Sequence, residues 1–225
     1  QYANPIAKPI FNKAIPDGLT ALDVINNYIR SVGGKANLKS VNTLVMKASV
    51  TIPGAPFTPE ATMRQKLPNK SSFKIEANMQ GQKMTLSKTT FNGNRGYSEM
   101  QGQRVEFDEK QLDENKKVKG IFEELYFKVE ELELISINSV NYQDAYKVKV
   151  TIDGKESHRY YSVESGLLLS TEDTDDNNNV VTTNYGDYQS VQNIMLPFYM
   201  ELPAQKLEFK TTSVEINKEV KDSSF

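Results

Sequence analysis

Cysteine and tryptophan are absent from this 225-residue chain, and histidine occurs once, as His158. Without cysteine there is no disulfide, no thiolate nucleophile and no Cys-ligated zinc site. An excess of either charge is missing too. The 27 Lys and Arg against 29 Asp and Glu give a net charge of −2, so the chain carries no electrostatic footprint for nucleic acid. Long apolar runs are also lacking: one of the longest, residues 194–200, contains Pro197. A membrane-spanning helix needs about 20 mainly apolar residues. The first residue is Gln1, so the chain reads as a mature form or a cut fragment, in which a targeting peptide is not visible.

What is present is enough for a core. Leu, Ile, Val and Phe number 16, 13, 17 and 10, about a quarter of the chain and more than disordered sequences carry. Residues 1–19, punctuated by Pro5, Pro9 and Pro16, read as a leader or linker with no sustained period. Thr20 with Asp23 three positions on forms a capping-box-like start. Leu22, Ile25, Ile29 and Val32 then follow at helical spacing, widened by Val24 and Tyr28, up to Gly33-Gly34. A short turn over 35–41 places Leu38 and Val41 behind that helix.

From Asn42 the period becomes two. Leu44, Met46, Ala48, Val50 and Ile52 alternate with more polar neighbours, the pattern of a strand with one buried face. Further strands are expected around Ala61–Met63–Leu67, Phe73–Met79, Met84–Leu86, Tyr97 and Val105, separated by Gly- and Asn-containing turns. Residues 109–119 are highly charged and read as a short exposed helix or loop, and 121–127 as a helical face. Strands resume from residue 132, with Asp153-Gly154 as a hairpin turn. In all, about eleven strands and one clear amphipathic helix predict an α+β fold, mainly antiparallel, with a strongly curved sheet wrapped around helices.

Chemical motifs are scarce. His158 lacks a second histidine or cysteine and reads as a surface or hydrogen-bonded residue. Asp173, Asp175 and Asp176 with Asn177–Asn179 lack the central Gly and terminal Glu of a calcium loop, so a solvated hairpin loop is the better reading. The glycines at 81, 93, 96 and 102 lack the Lys-Ser/Thr of a phosphate loop. Lys116, Lys117 and Lys119 are flanked by acids and read as a solvated face. No Gly-x-Ser-x-Gly elbow occurs.

The segment GLTALDVINNYIRSVGGKANLKSVNTLVMKASV resembles the start of LolA-like outer-membrane lipoprotein-sorting domains of the Bacteroidetes type, in which a helix ending in Gly-Gly runs directly into the first long strand. YYSVESGLLLSTE, NYGDYQSVQNIMLPF and VEINKEVKDSSF extend the likeness, which implies that residues 20–225 form one LolA-like half-barrel domain. The resemblance implies a half-open barrel closed by helices, whose apolar cavity takes a lipid or a lipoprotein acyl chain. The expected lining is Leu22, Ile25 and Ile29 from the helix, Met46, Ala48 and Val50 from the first strand, and Met63, Phe73, Ile75, Met84 and Leu86 from the next three. Met46, Met63, Met79 and Met84 all fall on the predicted inward faces, and methionine suits a site that must refill when its ligand leaves. The same apolar stripes also describe a plainly packed core.

The leader YANPIAKPIFNKAIPDGLTA resembles the segment joining an insulinase-type zinc-protease-like region to such a domain. It implies an upstream protease-like partner region. The insulinase-type His-x-x-Glu-His motif needs two histidines, and the single one here, in KESHRYY, excludes that chemistry from these residues. The expectation is therefore a non-enzymatic domain of the periplasm or cell envelope with no cofactor and no metal. The alternative is an accessory interaction module with a solid interior.

Overall fold

The structure, a computed structural model, describes residues 13–79, 81–175 and 178–225. Helix α1 spans Ala21–Ser31. Its capping box is formed as the sequence predicts: the Asp23 amide donates to Thr20 Oγ1 at 3.2 Å and the Thr20 amide to Asp23 Oδ2 at 3.0 Å. Two of the four unpaired amides of the first turn are thereby satisfied. Ala21, Val24, Ile25, Tyr28 and Ile29 are buried, and Leu22 lies half-buried at the margin of that face. A five-residue helix, α2 (Lys35–Lys39), buries Leu38.

Thirteen strands follow, two more than the sequence suggests. They are β1 (Thr43–Thr51), β2 (Glu60–Lys66), β3 (Lys70–Met79), β4 (Gln82–Phe91), β5 (Gly96–Met100), β6 (Gln103–Glu106), β7 (Leu132–Val140), β8 (Gln143–Ile152), β9 (Lys155–Ser162), β10 (Leu168–Thr174), β11 (Val180–Val191), β12 (Ile194–Leu202) and β13 (Leu207–Ile216). All belong to one antiparallel sheet in the order β6-β5-β4-β3-β2-β1-β13-β12-β11-β10-β9-β8-β7. Two meanders thus meet where β1 pairs with β13, and the two sheet edges, β6 and β7, are consecutive in the chain. The segment between them holds helix α3 (Glu109–Lys117) and two 3-10 turns, Glu123–Tyr126 and Val129–Glu131. The helical face expected over 121–127 is thus a single tight turn.

The sheet is a trough. The core cluster built around α1 takes side chains from nine adjacent strands, β2 through β1 and β13 to β7. Nine strands laid flat would span roughly 38 Å, while a helix with its side chains is about 10–12 Å across, so the sheet must wrap it. Further along, the rings of Phe73 on β3 and Phe209 on β13 lie 6.1 Å apart. On a flat sheet three strand spacings would separate them by about 14 Å. The concave side is therefore the face carrying Leu44, Met46, Phe73 and Phe209.

The position of α1 along the trough is fixed at its C-terminus. The Met195 amide donates to the Val32 carbonyl at 3.0 Å. Gly33, at φ 126°, lies against β12: a Cβ there would sit 2.5 Å from the Asn193 carbonyl oxygen. Gly33→Ala is expected to combine backbone strain with a clash against main chain. Thermal denaturation should show a lowered Tm, whereas Gly34→Ala, with open space around its Cβ position, should bear the strain alone and lose less.

On the convex side the C-terminal segment lies across β1–β3. Thr43 Oγ1 donates to the Lys218 carbonyl at 2.7 Å, and Val220 is buried. Asp222 bridges Lys66 and Lys70 at 2.8 and 2.9 Å, and the hydrogen bonds from those two lysines hold its carboxyl down at about 2.

Candidate functional site: the open half of the trough

The concave face is divided along the strand direction. Helix α1 occupies the half near Leu44, Tyr161, Leu168, Ile194 and Ile216. The other half carries a second apolar cluster of Val50, Ala61 and Phe209, with Ala48, Phe73, Ile75, Met200, Leu202 and Leu207 packed on it. Among the described residues no helical side chain belongs to this second cluster. Pairing register continues the same face outward. Met84 is opposite Ala77, Met100 is opposite Ser87, which is itself opposite Ile75, and Val105 is opposite Ser98. These rim residues are exposed: Met79 at 43%, Met84 at 46%, Met100 at 65% and Val105 at 68%. Ile152, on the face of Val148 and Val150, marks the opposite wall.

The residues expected to line a cavity are therefore sorted into two groups. Ile25, Ile29, Met46 and Met63 come together in the cluster around α1, where helix and sheet fill the space. Ala48, Val50, Phe73 and Ile75 come together in the half that α1 leaves free, where Val50 is fully buried and the other three half-buried among strand neighbours. Met84 stands at its rim. Leu86, the extra residue of a β4 bulge between Ser87 and Thr85, is half-buried in neither cluster, as is Leu22. The second strand run contributes Met200, Leu202, Leu207 and Phe209, and the β5–β6 hairpin contributes Met100. Their alternation was visible in the sequence, but the pairing of β1 with β13 that brings Phe209 beside Val50 was not.

Helix α3 crosses from the β6 edge to the far wall. Lys117 pairs with Asp153 at 2.6 Å and Glu114 with Lys155 at 2.6 Å, both at the β8–β9 turn. All four side chains are substantially exposed, so salt screens these pairs. Clefts of about 530 and 340 Å³ flank the helix. The larger is floored by Val150, Ile152 and Ser157, the smaller by Val118, Tyr126 and Phe127.

Where the α3 segment joins β7, it buries charge. Arg159, 6% exposed, donates to Glu123 Oε1 at 2.5 Å, lies 3.6 Å from Asp173 and sits 5.5 Å from the Phe127 ring centre. Burial alone would lower its pKa, but Glu123 and the neighbouring acids outweigh burial and keep it charged. Glu124 is buried beside it. Burial first, and the Glu123 charge second, push its carboxyl up to about 7. Tyr28 and Tyr161 are raised by burial and by Glu124. The Tyr161 hydroxyl is buried without a hydrogen bond of standard geometry. Nothing in the sequence distinguishes Glu124 from its acidic neighbours.

The remaining motifs stay bland. His158 Nδ1 is 3.6 Å from Glu172 on the convex face, and burial lowers its pKa. The Asn179 amide donates to Asp175 Oδ1 at 2.8 Å, closing a hairpin loop of which residues 176 and 177 lie outside the described residues. Among the described residues no three His, Asp or Glu side chains converge as metal ligands. No helix of the described residues is long and apolar enough to cross a membrane. The leader resembling a protease-domain junction falls largely on residues 1–12, outside the described residues; Lys13 bridges to Ile137 on β7 and pairs with Asp144.

No family model and no curated relative matches the sequence. Solved structures do match its shape over nearly the whole length. A LolA superfamily protein from Nitrosomonas europaea superposes with a TM-score of 0.57 at 11% identity, covering 91% of this chain and 96% of that one. A DUF1329 family protein from Desulfovibrio piger gives 0.56 at 11% identity over 90% and 95%. A candidate outer membrane lipoprotein-sorting protein domain from Vibrio parahaemolyticus gives 0.54 at 10% identity over 90% and 94%. The fold is that of a LolA-like domain: an unclosed, curved antiparallel sheet holding its first helix on the concave side.

Proposed function

We propose that this chain is a non-catalytic carrier or sorting domain of the bacterial cell envelope. It holds a lipid, or the acyl chain of a lipoprotein, against the open half of the trough. The observation that carries the reading is the second apolar cluster, to which no helix among the described residues contributes a side chain, continued by the exposed rim of Met79, Met84 and Met100. An apolar surface of this kind on the inside of a curved sheet is suited to hydrocarbon. The likeness in shape to an outer membrane lipoprotein-sorting protein domain supports the same class of ligand and an envelope location.

Hydrocarbon burial sets the expected chain-length dependence. Each buried methylene contributes roughly 0.8 kcal/mol, against association costs of about 4–15 kcal/mol. Short acids should bind poorly, and affinity should rise roughly tenfold for every two added methylenes until the trough is full. Competition of fatty acids of graded length against a fluorescent fatty acid measures this. Phe73→Asp, which places a charge in the open half, should weaken binding by about a hundredfold or more. Absence of saturable binding, or affinity indifferent to chain length, would remove the carrier reading.

A further inference from the structure

The chain has no cysteine, so its only sulfur atoms are seven methionine thioethers. They fall into two sets. Met46, Met63, Met195 and Met200 are half-buried and packed on the two apolar clusters. Met79, Met84 and Met100 are 43%, 46% and 65% exposed. Register places all three on the concave face of β3, β4 and β5, at the end of the trough away from α1. Met79 and Met100 each stand at the tip of a hairpin, and Met84 is opposite Ala77, two residues along β3 from Met79. Exposed methionine is unusual, and here it is gathered at one rim, where leucine would offer similar apolar area without a reactive atom.

Resting on the carrier reading, we propose that Met79, Met84 and Met100 form an oxidation-sensitive rim, through which a hydroperoxide switches apolar ligand binding off reversibly. In the step, a thioether sulfur lone pair attacks the terminal oxygen of hydrogen peroxide. The S–O bond forms as the O–O bond breaks, and the leaving hydroxide takes up the peroxide's proton as water. Sulfur loses two electrons and peroxide gains them. The product sulfoxide is a strong, polar hydrogen-bond acceptor in place of an apolar contact, and methionine sulfoxide reductase supplied with a dithiol reverses it, the dithiol giving two electrons and two protons and the oxygen leaving as water. The packed set is half-buried and less accessible to peroxide, so the rim oxidises first and the fold survives.

The test treats the whole chain with graded hydrogen peroxide, maps oxygen addition by peptide mass spectrometry, and measures fluorescent fatty-acid binding on the same samples. Met79, Met84 and Met100 are expected to oxidise before the other four. Affinity should then fall about tenfold or more with circular dichroism unchanged, and return after treatment with methionine sulfoxide reductase. In M79L/M84L/M100L the ratio of treated to untreated affinity should stay within about twofold, whatever that variant's starting affinity. Equal oxidation rates for all seven, full rim oxidation without loss of affinity, or equal loss in the leucine variant would each overturn the switch while leaving the carrier reading intact. Absence of binding before any peroxide is added would overturn both, and is thereby told apart.

Discussion

Ile25→Ala should cost the fold about 2–5 kcal/mol, the range for deleting a large aliphatic side chain that the surrounding core cannot collapse upon. Ile25 is 1% exposed at the centre of the α1 face. Its surroundings come from both the helix and the wrapped sheet, which shares hydrogen bonds along every strand and cannot close onto a void without bending. A chain of this size is held by about 5–15 kcal/mol in total, so the change removes a large fraction of the stability. Each kcal/mol shifts Tm by about 2–4 °C at this length, and a drop of roughly 10 °C in a thermal melt is the expected reading. Leu22→Ala, on the same helix but half-buried and in neither cluster, serves as the internal comparison and should lose well under half as much. Equal losses would mean that the trough does not close around the Ile25 face.

That helix was the most legible element of the sequence because three local signals agree on it: a capping box, a 3.6-residue stripe and a glycine pair at the end. The long strands were legible for the same reason, since Leu44, Met46, Ala48 and Val50 hold one parity. Even β5 and β6, of five and four residues, were expected around Tyr97 and Val105, on the strength of the turn between them and not of alternation, and their pairing with β4 and with each other makes them strands. The turn at Glu123–Tyr126 defeats local reading: Glu124 is buried and Leu125 half-buried by contacts with α1 and with β9, made far away in the chain, while Tyr126 stays exposed.

The site was half legible. Periodicity places Ile25, Met46, Phe73 and Ile75 on inward faces without saying which end of the trough the helix covers. That choice is made by the Met195–Val32 hydrogen bond and by Gly33 against Asn193, contacts across 163 and 160 residues of sequence. They draw α1 toward the Leu44 end and leave Ala48, Val50, Phe73 and Ile75 uncovered by any helix among the described residues. A residue's face is a local property of the strand; whether that face is filled or open is decided by the tertiary position of the helix.

Glu124→Gln should make the protein more stable in alkali and nearly insensitive to pH between 5 and 8. In the unfolded chain the carboxyl releases its proton near its ordinary 4.5, and in the folded protein near 7. Between those values the folded state holds a proton that the unfolded state has lost, so stability falls as pH rises through the window. Below 4.5 both states are protonated and nothing is lost; above 7 both are ionised, and the full penalty of about 3 kcal/mol stands. The Glu123 charge adds to the burial in opposing ionisation, while Arg159 and the neighbouring Tyr161 hydroxyl offset part of it. Glutamine keeps the volume and carries no charge, so urea titrations should give the variant about 3 kcal/mol more stability than wild type at pH 8 and a difference near zero at pH 4.5. Parallel curves at all pH values would show that Glu124 is solvated. The same residue anchors the segment that carries α3, whose other ties to the far wall are exposed ion pairs. Hydrogen exchange across Glu109–Lys117 in the wild type should therefore quicken from pH 5 to pH 8, beyond the intrinsic rate, and do so less in the glutamine variant. Beyond the buried Glu124 and the Arg159–Glu123 contact, the α3 segment is tied to the far wall by two screened pairs, which places it toward the low-stability end of the molecule.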